Sequence, residues 1–148
     1  MQVRRLTIGD ETYACQVINQ VKLRGDGVEG VTVTPEYMCS FLADQRHYLI
    51  AALIDQLPVG FALGYQFPRV DGGRPMVFFY EIGVDAQYRR RGIGRALVEE
   101  LKRQAQASGC CKMFVPTSAF NSAAMALYKA AGGVGGARPD AAAFEWYW

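Results

Sequence analysis

A run of arginines and glycines, Arg89-Arg90-Arg91-Gly92-Ile93-Gly94, is the segment of this chain best suited to holding an anion. It follows the apolar stretch Phe78–Val84 by a few residues and precedes a long amphipathic pattern. Glycines let a phosphate approach the backbone, and the first N–H groups and macrodipole of a helix attract negative charge. The segment therefore predicts a pyrophosphate site, against the alternative of a solvated arginine face beside an ordinary helix start.

Two common phosphate-binding motifs do not fit this segment. The dinucleotide fingerprint G-x-G-x-x-G is absent, because Ala96 and Leu97 occupy the region of its third glycine. A Walker loop is absent as well, since no Gly-Lys-Ser/Thr follows the glycines. The predicted anion is therefore held by some other kind of loop.

Glu81 is the second residue whose type and position suggest chemistry. It stands between Tyr80 and Ile82 in the apolar stretch before Arg89–Gly94, which we call the arginine loop. A carboxylate in such surroundings is costly to bury unless it has a partner or a task. It could take a proton from an amine, directly or through water, or anchor an ammonium group. A structural ion pair remains the alternative.

The elements that must position these residues follow from hydrophobic periodicity and end signals. An Asp10-capped helix follows the first strand, and a helix opens at Thr34-Pro35. Another helix runs from Ile93 toward Gly109, and a last one begins at Asn121 or Ser122 and ends at Gly132. The predicted strands are Val3–Ile8, His47–Ile54, Val59–Phe67, Met76–Val84, Cys110–Pro116 and Phe144–Trp148.

This order, β-α-α-β-β-β-α-β-α-β, predicts an α/β protein in which a central sheet carries helices on both faces. With 148 residues, 51% of them hydrophobic, the chain is expected to form a single domain over residues 1–148. The aromatic end containing Trp146 and Trp148 would serve a homodimer interface as readily as a core.

Composition narrows the function classes. The 16 basic and 14 acidic residues are spread along the chain, which argues against a nucleic-acid partner. No apolar window approaches about 18 residues, so the expectation is a soluble, cytoplasmic protein without a membrane partner. The adjacent Cys110 and Cys111 and the single His47 supply neither a CxxC metal site nor a His-based triad, so no metal is expected.

Two sequence blocks together carry a family resemblance. Arg89, Gly92 and Gly94 match the pattern R/Q-x-x-G-x-G/A between a strand and a helix. Asn121–Gly132 resembles the block N-x-x-A-x-x-L-Y-x-x-x-G after the next strand. In these features the chain resembles the GCN5-related N-acetyltransferase (GNAT) superfamily, whose fold is a mixed, mostly antiparallel sheet flanked by helices. One departure is Gly133, which stands where the family usually has an aromatic residue.

The resemblance implies acetyl-coenzyme A as cosubstrate and assigns roles to residues. Asn121 would lie at the pantetheine arm, and Tyr128 would be the general acid. Tyrosine suits that role because its usual pKa of about 10 lies above the value of about 8.5 for a thiol, so the phenol keeps its proton beforehand and can share it with the leaving sulfur. The alternative for Tyr128 is a core position. The remaining cofactor positions are the backbone of Ile82, Gly83 and Val84 for the acetyl carbonyl and pantetheine, and Arg89, Arg90, Arg91, Gly92, Ile93 and Gly94 for the pyrophosphate.

Within the superfamily the chain is most similar to the small aminoglycoside 3-N-acetyltransferases, through Gly60–Arg69, Phe78–Val84 and the Phe144-Glu145 pair. The resemblance implies that Glu81, in place of an expected aspartate, faces the amines of the sugar. Further carboxylates around one cleft would attract ammonium groups. The candidates are Asp26, Glu29, Asp140 and Glu145, with Glu36 nearby, and ordinary solvated loops are the alternative.

Other functions remain open at this point. A polyamine acetyltransferase shares the acidic site, whereas a peptide or protein acetyltransferase would need an open groove for an extended chain. A non-catalytic acyl-CoA-binding domain would keep Arg89 to Gly94 but would need neither Tyr128 nor Glu81.

Overall fold

The computed structural model describes residues 1–23, 27 and 29–135. The elements within them are β1 (Gln2–Arg5), α1 (Glu11–Val17), a π-helical segment (Ile18–Leu23), α2 (Pro35–Ala43), β2 (His47–Ile54), β3 (Leu57–Phe67), β4 (Met76–Val84), a 3₁₀ turn (Ala86–Tyr88), α3 (Ile93–Ala107), β5 (Lys112–Phe114) and α4 (Ser122–Ala130). The predicted order is confirmed as far as α4. The predicted strand Phe144–Trp148 lies outside the described residues.

The chain divides into two compact units, Met1–Val115 and Pro116–Trp148. The first contains the whole described sheet, and the second contains α4. The expectation of a single domain over residues 1–148 stays a prediction.

The five strands follow one another across the sheet in the order β1-β2-β3-β4-β5. All neighbours are antiparallel except β4 and β5, which are parallel and are joined through α3. The expected mixed, mostly antiparallel sheet is thereby confirmed. β2 and β3 form a hairpin whose turn residues, Asp55 and Gln56, have φ angles of 49° and 64°. Two consecutive positive φ angles are typical of the tight turns that match strand twist.

Helices cover both faces of the sheet, as predicted. On one face α1, the π-helical segment and α2 pack on alternate residues of β2 and β3 and form one core, which includes Leu6, Ala14, Val17, Met38, Leu42, Leu49, Ala51, Phe61 and Leu63. On the other face α3 approaches β3 closely. A Cβ added at Gly60 would lie 3.2 Å from the side chain of Leu97, and one at Gly64 would lie 3.2 Å from Leu101. Glycine in β3 therefore allows α3 to pack against the sheet backbone.

The predicted helix starts at Thr34 and Asn121 are confirmed. The Thr34 hydroxyl accepts a hydrogen bond from the Tyr37 N–H at 3.3 Å, and the Asn121 side-chain oxygen accepts one from the Ala124 N–H at 3.1 Å. Asp10 also takes the predicted N-cap position of α1, but it does not cap the helix through its side chain. Its carboxylate makes no capping bond and instead accepts two bonds from Arg4, each 2.8 Å long. The guanidinium is a stronger partner than a backbone amide, because the hydrogen bond joins two opposite charges.

Two strands are shorter than predicted. β1 ends at Arg5, because Thr7 enters the turn before α1, where its N–H donates to the Asp10 carboxylate. β5 begins at Lys112 because the Cys110 N–H still bonds to the carbonyl of Ala105 at the end of α3. In both cases residues whose pattern predicts a strand instead make hydrogen bonds at the end of the adjacent helix.

Candidate functional site

A β-bulge lies in the middle of β4. Leu63 of β3 pairs with Glu81, and the next residue, Gly64, pairs with Phe79, so Tyr80 has no counterpart. An extra residue of this kind bends a strand and redirects its side chains, and bulges are frequent beside active sites. Because cross-strand partners share a face, Glu81 projects on the same side as Leu63, toward α1 and α2.

Aromatic rings lie on this same face beside Glu81. The ring of Tyr80 is edge-on to Tyr65, with 5.7 Å between centroids, and to Phe78 at 5.8 Å. Phe78 in turn stacks on Phe114 at 5.4 Å. Tyr80 is 56% exposed, so the group presents an accessible aromatic surface next to the carboxylate. We call Tyr65, Phe78, Tyr80 and Phe114 the aromatic wall.

Glu81 is ion-paired with Lys22, the last but one residue of the π-helical segment. The Lys22 ammonium donates to both carboxylate oxygens, at 2.8 Å to Oε1 and 2.7 Å to Oε2. The side chains are 28% and 24% exposed, so the pair sits at the edge of solvent. The ion pair that sequence reasoning left as an alternative is therefore present, with a partner 59 positions away in the chain.

Electrostatic coupling links this pair to the aromatic wall. Burial is the main cause that raises the pKa of the Tyr65 phenol, followed by the neighbouring Tyr80, Tyr37 and Glu81, whereas Lys22 lowers that pKa. A cation that replaced the Lys22 ammonium on Glu81 would likewise lower the pKa of the Tyr65 phenol.

The backbone of β4 beyond the bulge lies open on one side. β5 pairs with β4 only at Met76–Phe78, so among the described residues Phe79–Val84 are bonded to a strand on the β3 side alone. The Asp85 N–H donates to Val59 of β3. Since backbone groups alternate in direction along an antiparallel strand, those of Val84 and Ile82 point away from β3.

Of the three residues expected to bind the acetyl carbonyl and pantetheine, Ile82 and Val84 present backbone groups at the open edge. Gly83 directs its groups toward β3 by the same alternation. The Val84 carbonyl already accepts a hydrogen bond from Arg89 Nε at 3.0 Å. Among the described residues, Ile82 thus offers the edge group nearest to Glu81 that no strand pairs with.

The arginine loop ends at the start of α3 with the backbone geometry of an anion site. Gly92 has a φ of 77° and takes the N-cap position without a side-chain cap, and the first turn contains no acidic residue. The first N–H groups of a helix have no intrahelical partner, and here they are flanked by arginines. Arg89, Arg90 and Arg91 are exposed, and Arg91 packs over the ring of Tyr88.

The arginine loop and the open end of β4 adjoin a shallow cleft on the side of the π-helical segment. This cleft is lined by Gln20, Val21, Val84, Asp85, Ala86, Gln87 and Arg89. One concave region thus brings together the end of β4, the start of the loop and the segment that carries Lys22.

The second unit contains the other two predicted site residues. Asn121 caps α4, so its side-chain oxygen is engaged with the Ala124 N–H. Tyr128 is partly buried on the helix, and burial raises the pKa of its phenol. The Gly133 N–H donates to the Tyr128 carbonyl, and a Cβ at Gly133 would lie 2.8 Å from that oxygen. A residue with a side chain at position 133 would therefore require this helix end to shift.

The predicted acceptor-side carboxylates are only partly described. Glu29 is exposed in the loop after the π-helical segment, and Glu36 is exposed in the first turn of α2. Asp26, Asp140 and Glu145 lie outside the described residues. The acidic surround of the acceptor therefore stays a prediction.

Sequence reasoning missed Lys22 and the bulge at Tyr80. Lys22 gave no signal because a lysine near the end of an amphipathic helix usually faces water. The sequence Phe79-Tyr80-Glu81 does not mark which residue lacks a cross-strand partner, since that depends on the register with β3.

Within the described part of the chain, no group of three or more histidine, cysteine, aspartate or glutamate side chains could hold a metal ion. The helices of that part are also too short or too polar to cross a membrane.

Comparison with known proteins gives a match to one family and a relative that is similar over part of the chain. The family model described as "Acetyltransferase (GNAT) family" matches residues 19–132. The ribosomal protein bS18-alanine N-acetyltransferase of Escherichia coli strain K12 is 40% identical over 53 residues. That match covers 36% of this chain, and the chain spans only 36% of the length of that curated relative.

Two solved structures resemble nearly the whole chain. An aminoglycoside acetyltransferase from an uncultured soil metagenomic sample, in complex with sisomicin, has a TM-score of 0.87 and 19% sequence identity. The match covers 99% of this chain and 95% of the other. A second aminoglycoside acetyltransferase, also from an uncultured soil metagenomic sample, has a TM-score of 0.78 and 25% identity, with 99% and 97% covered.

Proposed function

We propose, given that this chain belongs to the acetyltransferase (GNAT) family, that it transfers an acetyl group from acetyl-CoA directly to the 3-amino group of an aminoglycoside. The observation that carries the acetyl-CoA part is the uncapped, arginine-flanked start of α3 immediately beyond the open backbone edge of β4. These two features together fit a ligand with a pyrophosphate at one end and a hydrogen-bonding arm at the other.

The anion site supports a pyrophosphate by its chemistry. Gly92 has a positive φ and no side chain to keep a phosphate from the loop backbone, and the N–H groups that follow it lack an acceptor within the helix. Arginine can bind phosphate oxygens with two parallel hydrogen bonds. In this proposal Arg89, Arg90 and Arg91 with Gly92, Ile93 and Gly94 hold the pyrophosphate.

The pantetheine arm then lies along β4, where an added chain can pair with exposed backbone groups as another strand would. The outward-pointing groups of Ile82 and Val84 are suitably directed for this pairing, and Asn121 remains a proposed pantetheine contact. The acetyl thioester end falls beside Ile82, one residue from Glu81.

Acetyl transfer needs a deprotonated amine and a stabilised leaving thiolate. In the proposal Glu81 binds the acceptor ammonium and receives its proton, directly or through water. The amine nitrogen attacks the thioester carbonyl, the carbon–sulfur bond breaks, and Tyr128 donates its phenol proton to the departing sulfur. Burial supports this role for Tyr128, because the raised pKa keeps the phenol protonated before it is needed.

Different observations support the aminoglycoside acceptor. Two aminoglycoside acetyltransferases share the fold over 99% of this chain. Glu81 supplies a carboxylate at the acceptor side, and Asp26, Glu29, Asp140 and Glu145 are proposed to add negative charge. The aromatic wall suits a sugar as well, because apolar ring faces can pack on aromatic rings.

A second candidate is acetylation of a protein N-terminus. It is favoured by the 40% identity with the bS18-alanine N-acetyltransferase over 53 residues. The exposed aromatic wall beside Glu81 is also compatible with a peptide acceptor. Polyamine acetylation uses the same carboxylate and differs only in the shape of the acceptor.

An acceptor panel separates these candidates. Initial rates with acetyl-CoA are measured for sisomicin, for spermidine and for a short peptide with an N-terminal alanine. We expect the highest kcat/KM with sisomicin, with the new acetyl group on the 3-amino nitrogen by NMR. A preference for the peptide or for spermidine would contradict the aminoglycoside assignment and leave acetyl transfer in place.

The arginine-loop proposal predicts that Gly92→Val weakens acetyl-CoA binding at least tenfold, or about 1.4 kcal/mol, by calorimetry. Valine strains a φ of 77° and places a branched side chain where the pyrophosphate must approach. Gly109→Val is the matched control, because Gly109 has a φ of 75° at the other end of α3 and is equally open around its Cα. Equal affinities of the two folded variants would place the cofactor elsewhere.

A further inference from the structure

We propose that Lys22 is a specificity-determining residue of the acceptor site, whose ammonium occupies the place on Glu81 that the acceptor ammonium takes during turnover. This inference rests on the proposed amine-acetylating function. It adds a competition between a residue of the chain and the substrate for one carboxylate.

The geometry of the pair carries the proposal. Lys22 Nζ lies 2.8 and 2.7 Å from the two oxygens of Glu81, which is the arrangement that a substrate ammonium would need. A second ammonium brought to the same carboxylate would be repelled by Lys22. The acceptor can therefore bind Glu81 fully only when Lys22 withdraws.

Withdrawal is feasible because of where the pair lies. Both side chains are about a quarter exposed, so the ammonium already has access to water on one side. Lysine also carries its charge on a flexible stem of four carbons, so the ammonium can swing into water without moving the backbone.

The backbone under Lys22 adds a second observation. Lys22 belongs to a π-helical segment, and such wide turns inside helices are frequent at functional sites. In this segment Ile18 and Val21 remain in the core, so the packing is kept while Lys22 faces β4.

Competition between Lys22 and the acceptor predicts the direction in which the acceptor affinity changes when Lys22 is replaced. If Glu81 is mostly engaged by Lys22, the apparent affinity for a cationic acceptor equals the intrinsic affinity multiplied by the fraction of time that the carboxylate is accessible. Removing the lysine charge should then tighten acceptor binding. A lysine that only held Glu81 in position would give the opposite result, since its loss would release the carboxylate.

The test measures sisomicin binding by calorimetry without acetyl-CoA, in the wild type and in Lys22→Met. We expect the Kd for sisomicin to fall by about fivefold or more in Lys22→Met. Lys22→Arg keeps the charge and binds carboxylates through two nitrogens, so its Kd should equal or exceed that of the wild type.

Lys102→Met is the matched control. Lys102 is paired with Glu99 at 3.0 Å on α3, on the opposite face of the sheet, so its replacement should leave the Kd for sisomicin unchanged. If Lys22→Met proves unstable, Lys22→Gln removes the same charge with a polar side chain and gives the same comparison.

An unchanged or increased Kd in the folded Lys22→Met protein would overturn the inference, as would the absence of sisomicin binding in both proteins. Tighter binding without acetylation of sisomicin would contradict the proposed function and keep the inference. If sisomicin is acetylated but the Lys22 variants bind it like the wild type, the inference is overturned and the proposed function stands.

Discussion

Glu81→Gln is expected to lower the rate of aminoglycoside acetylation by about 100-fold or more, while the affinity for acetyl-CoA barely changes. Glutamine keeps the shape of the side chain and removes the charge, so it can neither receive the proton of the amine nor hold its ammonium. Steady-state kinetics with sisomicin and calorimetry with acetyl-CoA measure the two effects separately.

The control for this variant is Glu99→Gln, which removes the carboxylate of a second Glu–Lys ion pair on α3. Its turnover should match the wild type. The effect of Lys22→Met on acceptor binding should also disappear in the Glu81→Gln background, because the competition then has no carboxylate. Normal turnover in Glu81→Gln would show that the base is water or another carboxylate, with Glu145 and Asp140 the first to examine.

In cells, Glu81→Gln should remove the tolerance of aminoglycosides that the wild-type protein gives. Cells that make the wild-type protein should tolerate an aminoglycoside with a free 3-amino group, and cells with Glu81→Gln at equal abundance should not. Equal tolerance in the two strains would argue against a role for Glu81 in acetylating the drug.

Tyr128→Phe is expected to lower kcat by about 100-fold with little change in either KM. The substitution deletes one hydroxyl and keeps the ring, so it removes a proton donor that acts only as the sulfur departs. Burial raises the pKa of this phenol, and the wild-type turnover that depends on it should therefore fall only as the pH rises through that raised pKa. The variant should lack this alkaline loss.

Tyr13→Phe provides the control for loss of a hydroxyl. The Tyr13 hydroxyl donates to the Gln56 side chain at the β2–β3 turn, away from the proposed chemistry, so turnover should not change. A Tyr128→Phe protein with wild-type kcat and a lower Tm would assign the residue to packing. Protonation of the leaving sulfur would then be left to solvent.

Local patterning was sufficient for much of the fold. β4 begins at Met76 and ends at Val84 as predicted, because a run of apolar and aromatic residues between clear turn signals has few other structures available. The caps at Thr34 and Asn121 were predictable for a similar reason, since each depends on residues three positions apart.

Features that depend on distant partners could not be predicted. Asp10 has the type of a capping residue, but Arg4 competes for its carboxylate. The bulge at Tyr80 is set by the register between β3 and β4, and the pairing of Lys22 with Glu81 requires the π-helical segment to lie against β4. The sequence indicated that Glu81 needs a partner or a task, and it did not contain the identity of the partner.

We propose above all that this chain transfers an acetyl group from acetyl-CoA to an amine. The most direct test measures CoA thiol release by the purified protein with and without sisomicin, together with the mass of the amine after the reaction. We predict amine-dependent thiol release matched mole for mole by a product carrying one added acetyl group. Thiol release no faster than in protein-free buffer, with every amine of the panel unmodified, would contradict the claim.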